Sequence, residues 1–227
     1  YYIIGEINMI VSFLNQKGGV GKTTLSGNVA FGLHLRGFKV VLVDSDPQQT
    51  TLTWNNIRSG DNNELPFNAI ATSANSLKQL TERMIAKDGY DFVVIDGAPR
   101  MTDLARAAII SSDLIIMPMQ PSGADIWATD DLKNMIEEAK HFKPSIISAV
   151  LLNRVFSNTK LSKEIISSLI ENDWSFFDTS IKQRQIYAAA ISEGLTIYEM
   201  PNNKEAKNEI ESLIEEILKL KEIENGD

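Results

Sequence analysis

Met9-Ile10-Val11-Ser12-Phe13-Leu14-Asn15-Gln16-Lys17-Gly18-Gly19-Val20-Gly21-Lys22-Thr23-Thr24 is an apolar run that breaks into a glycine loop. The first six residues read as a buried strand. From Thr23 to about Arg36 the apolar residues Leu25, Val29 and Leu33 recur at helical spacing. Strand, glycine loop and helix in that order form the setting in which backbone N–H groups curl around a phosphate. Lys22 then reaches the β- and γ-phosphates and the Thr23 hydroxyl sits on Mg²⁺. Gln16 stands where the strict consensus has its first glycine, so the loop is the variant Lys17-Gly18-Gly19-Val20-Gly21-Lys22-Thr23. A lone Gly/Lys run is more often a solvated turn; the flanking strand and helix argue for a nucleoside triphosphate site.

Two acidic motifs follow at the ends of later apolar runs. Asp44-Ser45-Asp46-Pro47-Gln48 closes Lys39-Val40-Val41-Leu42-Val43, and Asp96 closes Asp91-Phe92-Val93-Val94-Ile95 before Gly97-Ala98-Pro99. Ligands of open parallel sheets bind beyond the carboxyl ends of strands, so these acids converge on the loop. Asp96 takes the part of a carboxylate that holds Mg²⁺, often through water. A carboxylate at 44 or 46 orients the attacking water or holds a switch loop, and Asp44 is balanced between a direct and a supporting role. The alternative for each is a solvated turn or a helix N-cap.

Strand-like and helix-like segments alternate with short connections along the chain, which favours a mainly parallel sheet covered on both faces. Helices are expected within 47–66, at 76–87, 102–110, 124–141, 160–171, 182–192 and 204–222. Further strands are expected at 67–71, 113–118, 146–152 and, briefly, 175–177. With 227 residues, 43% of them hydrophobic, the chain suffices for one large α/β domain. Residues 1–8 are read as an upstream extension or cloning remnant and 9–227 as the domain.

The absence of Cys excludes disulfides and thiolate metal sites and fits a reducing cytosol. No apolar run approaches the roughly 18 residues of a membrane span. The net charge of −8 argues against a constitutive, strongly basic nucleic-acid binder but leaves room for a local patch.

The lysine-first loop, Val43-Asp44-Ser45-Asp46-Pro47-Gln48 and Val94-Ile95-Asp96-Gly97-Ala98-Pro99 together resemble the ParA/MinD family of deviant-Walker ATPases, over essentially the whole chain from Met9. Ser180-Ile181-Lys182-Gln183-Arg184-Gln185-Ile186-Tyr187 is similar to the compact, ParF-like plasmid partition branch. The resemblance implies a single-domain P-loop NTPase with a mostly parallel twisted sheet flanked by helices on both faces. It implies weak ATP hydrolysis stimulated by a partner protein and DNA, with ATP and Mg²⁺ as cofactors and an ATP-bound homodimer as the working form. Lys17 is then the signature lysine that reaches across to the partner's ATP. Lys22, Gly18, Gly19, Val20, Gly21, Thr23 and Thr24 hold the phosphates. Asp46 positions the hydrolytic water, Asp96 is the Walker-B acid and Asn153 hydrogen-bonds adenine. Nonspecific DNA and a ParB-like or centromere-binding adaptor are the implied partners, with the protein cytoplasmic and nucleoid-associated when ATP-bound. Candidate DNA contacts are Arg154, Lys160, Lys163, Lys182 and Arg184, although Glu164, Glu171, Asp173 and Asp178 are interspersed.

Two other readings share this core. A MinD-like membrane ATPase would need a basic amphipathic C-terminal helix. Here Ile210, Leu213, Ile214, Ile217 and Leu218 form a stripe flanked mainly by glutamates, which anionic lipid would repel, so packing onto the domain is expected. A metabolite-dependent ligase lacks a visible second-substrate motif, and a metal-cluster relative would need cysteines.

Overall fold

Four runs with hardly a polar residue become the central strands of a sheet buried on both faces, the pattern proper to parallel strands under helices. In the computed structural model these are β1 (Met9–Phe13), β2 (Val40–Asp44), β4 (Phe92–Asp96) and β5 (Leu114–Met119), with β3 (Asn68–Ala71) and β6 (Ile147–Leu152) at the edges. The structure describes residues 8–46, 50–60, 65–99, 103–156, 167 and 174–224. Its helices are α1 (Lys22–Leu35), α2 (Thr50–Gly60), α3 (Ala74–Ala86), α4 (Asp103–Ser111), α5 (Gly123–Lys140), α6 (Gln185–Ser192) and α7 (Lys204–Glu224). The extension before Asn8, Pro47 and Gln48, and nearly all of the expected helix at 160–171 lie outside the described residues.

The strand order is β3-β2-β4-β1-β5-β6 and every pairing is parallel. Phe13 and Asp44 both pair in register with Asp96, so β1, β2 and β4 end side by side. The chain leaves β1 for β2 on one side and returns to β5 on the other, which makes the end of β1 the crevice where an α/β sheet takes its ligand. Period-two alternation sorts the strand residues into two cores. Val11, Phe13, Leu42, Val94 and Ile116 pack under α1 and α7, whereas Ile10, Val43, Val93, Ile95 and Ile115 pack under α3, α4 and α5.

The expected strand at 175–177 is a correction: Phe176 makes an isolated parallel bridge with Val150 and no strand forms among the described residues. The helix expected from 182 starts at Gln185 because Lys182 bridges Val155 and the Gln183 N–H donates to the Val155 carbonyl at 3.1 Å.

The α7 stripe is internal. Ile210, Leu213, Ile214 and Ile217 have no exposed surface, and the flanking glutamates bind the protein itself. Glu211 and Glu215 take Arg36 at 2.6 and 2.8 Å, and Glu216 accepts the N–H groups of Asp178 and Thr179. Gly32 is where α1 admits this helix: a Cβ there would lie 2.5 Å from Ile214 Cδ1 and closer still to the Tyr198 hydroxyl. Gly32→Ala is expected to overpack the contact by about 1–3 kcal/mol, visible as a lower urea midpoint with an unchanged m-value.

Candidate nucleotide-binding site

The loop between β1 and α1 is held open from behind by side-chain amides. Asn15 Nδ2 donates to the Pro118 carbonyl at 2.8 Å while its Oδ1 accepts the Lys17 N–H at 2.9 Å. From the other side Asn153 Nδ2 donates to the Val20 carbonyl at 2.6 Å, and the Asn153 N–H is fixed on Met119 at 2.8 Å. Asn153, expected on adenine, holds its amide on the Val20 carbonyl in this structure. Gly21 is the N-cap of α1 with φ 99°, a left-handed conformation that a side chain strains. A Cβ there would also lie 2.4 Å from Asn153 Nδ2.

Lys22 is buried and its ammonium donates to the Lys17 carbonyl at 3.1 Å. Burial lowers its pKa, opposed by the nearby carboxylates of Asp96 and Asp46. Gly18, Gly19, Gly21, Lys22, Thr23, Thr24 and Asp46 surround a cavity of about 230 Å³ that Pro99 and Arg154 complete. The sequence motifs therefore converge as the strand register requires.

Asp96 is fully buried. Burial, reinforced by Asp44, pushes its carboxyl up to about 7, against the pull of the Thr23 and Thr51 hydroxyls and Lys22. Thr51 Oγ1 donates to Oδ2 at 2.7 Å, and the Asp96 carbonyl accepts both the N–H and the hydroxyl of Ser45, at 3.0 and 2.8 Å. Oδ1 has no hydrogen-bond partner among the described residues. An unpaired buried carboxylate oxygen is costly, and one beside a threonine hydroxyl and a phosphate loop fits a hard cation with oxygen ligands such as Mg²⁺. Asp44 spends both oxygens on its own loop, Oδ1 on the Asp46 N–H at 2.9 Å and Oδ2 on the Thr51 N–H at 3.0 Å.

A second cavity of about 320 Å³ shares Gly21, Thr24 and Arg154 with the first and continues along Asn153, Ile181, Lys182, Arg184 and Tyr187. Three of the five candidate DNA cations thus line a pocket beside the phosphate loop. Arg184 is further engaged by Glu205 and by Glu209, the latter at 2.8 Å. Arg154 adopts φ 54°, unusual for a residue with a side chain. Lys160 and Lys163 lie outside the described residues. Sequence reasoning missed Asn15, Ser45 and Thr51; the signal available for the latter two was a hydroxyl within one turn or two of the acidic motif.

Residues 11–197 match the CobQ/CobB/MinD/ParA nucleotide binding domain. The chain belongs to that family. Among its relatives, the Maintenance of carboxysome distribution protein A of Halothiobacillus neapolitanus is 30% identical over 207 residues, covering 90% of this chain and 94% of the relative. Its namesake from Gloeobacter kilaueensis is 32% identical, covering 92% and 93%. The probable plasmid-partitioning protein ParA of Thermus thermophilus is 26% identical over 63% of this chain and 53% of its own. The Cyanothece McdA–ATP complex superposes with a TM-score of 0.74 at 18% identity, covering 94% of this chain and 97% of that one. The fold is therefore that of the ParA/MinD-type P-loop ATPases. Among the described residues no helix is long and apolar enough to cross a membrane.

Proposed function

We propose that the protein is a dimerising ATPase that positions a bulky cargo by ATP-switched binding to nonspecific DNA. The observation that carries the nucleotide part is the unpaired Asp96 Oδ1 beside Thr23 and Lys22 at the mouth of the phosphate loop. Mg²⁺-ATP supplies the transferable phosphoryl group. Around it the loop N–H groups and Lys22 would stabilise the negative charge, Thr23 and Asp96 would hold the cation, and Asp46 would orient water. Phosphoryl transfer needs charge stabilisation more than covalent help. Lys17 from a second copy completes each site, which ties hydrolysis to dimerisation.

The relatives support the cargo side of this reading. Two that match nearly end to end are named for carboxysome distribution, which makes a large protein assembly a candidate cargo beside a plasmid. An adaptor bound to that cargo stimulates hydrolysis. Burial of the α7 stripe speaks against the membrane-bound alternative.

The test is gel-shift retention of random duplex with ATP, with ADP and without nucleotide, over a salt series. Retention with ATP alone, falling steeply with salt, is expected from phosphate contacts. Asp46→Ala is expected to remain dimeric with ATP in sedimentation and to hold DNA longer than the parent. Association indifferent to nucleotide or to salt would contradict the proposal, as would an Asp46→Ala protein that stays monomeric with ATP.

A further inference from the structure

We infer that Thr51 is a positioning residue that aims Asp96 at the cation of the bound nucleotide. It has no exposed surface and sits in the first turn of α2, a helix not otherwise part of the phosphate loop. Its hydroxyl donates to Asp96 Oδ2 at 2.7 Å and its N–H donates to Asp44 Oδ2 at 3.0 Å. The main chain of Asp96 is meanwhile clamped through its carbonyl by Ser45.

A carboxylate held only by its backbone still turns about its last side-chain bond, and its two oxygens exchange places. Tying Oδ2 to a buried hydroxyl removes that freedom. It leaves Oδ1 as the oxygen without a hydrogen-bond partner among the described residues. The same residue, through its N–H, holds the acidic loop after β2 to the start of α2, so both acids share one anchor. Groups placed behind a metal ligand in this way characteristically change metal affinity by about 10–100-fold when removed.

This inference rests on the nucleotide reading above, and Mg²⁺-dependent binding separates the two. A fluorescent ATP analogue is titrated with Mg²⁺ on the parent, Thr51→Val and Thr51→Ser proteins, and its Mg²⁺-free affinity is measured in EDTA. Val keeps the branched shape and the N–H but lacks the hydroxyl; Ser keeps the hydroxyl. Thr51→Val is expected to raise the Mg²⁺ midpoint about 10-fold or more, with Mg²⁺-free affinity unchanged and Thr51→Ser close to the parent. A Thr51→Val midpoint equal to the parent's overturns the inference alone, as does a Thr51→Ser midpoint raised as far as that of Val. A parent protein that shows no Mg²⁺-dependent binding overturns the nucleotide reading with it.

Discussion

Replacing Lys17 with Ala is expected to reduce ATP turnover by about 10³-fold or more while leaving ATP affinity within a few-fold, the behaviour of a catalytic cation supplied in trans. The loop should survive the change. The Lys17 hydrogen bonds that shape it run from its N–H to Asn15 Oδ1 and from Lys22 Nζ to its carbonyl, both main-chain groups that Ala retains. Phosphate release and equilibrium binding of a fluorescent analogue measure the two effects separately. Mixing Lys17→Ala with Asp96→Ala copies should restore activity. In the mixed dimer one site has its own Asp96 and receives Lys17 from its neighbour. Unchanged turnover in the Lys17→Ala protein, or no recovery on mixing, rules out the trans role.

The second large effect falls on stability. Arg58 on α2 is 2% exposed and grips Glu199 with two bonds, Nη1 to Oε2 at 2.7 Å and Nη2 to Oε1 at 2.5 Å, while Nη1 also reaches the Gly194 carbonyl. The guanidinium stacks over Phe31, 5.6 Å from the ring centre. Arg58→Ala strands a half-buried carboxylate and is expected to cost about 3–5 kcal/mol. For a chain of this size that lowers the melting temperature by about 6–20 °C. Burial works against ionisation of Glu199, but Arg58 and the Thr196 N–H and hydroxyl outweigh it and hold the carboxyl below its ordinary value. A depressed carboxylate contributes stability that is present above the ordinary pKa and is lost as pH falls through the folded one. The gap between parent and Arg58→Ala should therefore be full near neutrality and shrink in acid. A gap unchanged down to acid pH, or absent at neutrality, would show that the pair is not the source.

Much of the fold was legible because its central strands are continuous apolar runs, and such runs tolerate only a buried parallel arrangement. The phosphate loop, Asp44, Asp46 and Asp96 were legible for a related reason. Each sits where an apolar run stops, and register then brings the stops together. Hydrogen-bond economy was not legible. Nothing in the sequence places the Asn153 amide on the Val20 carbonyl; the backbone path does. The partners of Arg184, a candidate DNA contact, were hidden likewise: Glu205 and Glu209 come beside it only through the fold. Thr51 was hidden because Thr50, Thr51 and Thr53 all follow the acidic motif closely, and nothing in the sequence says which of them meets Asp96.

Trp54 gives the protein an optical gauge of its own active centre. It sits one turn beyond Thr51, is 3% exposed, and its indole N–H donates to the Leu195 carbonyl at 3.3 Å, while its ring lies against Gly27 on α1. Any tilt of α2 that accompanies nucleotide exchange must drag that ring against α1 or loosen its tether. With Trp127 and Trp174 replaced by Phe, emission colour and shielding from acrylamide would then report that movement without an added dye.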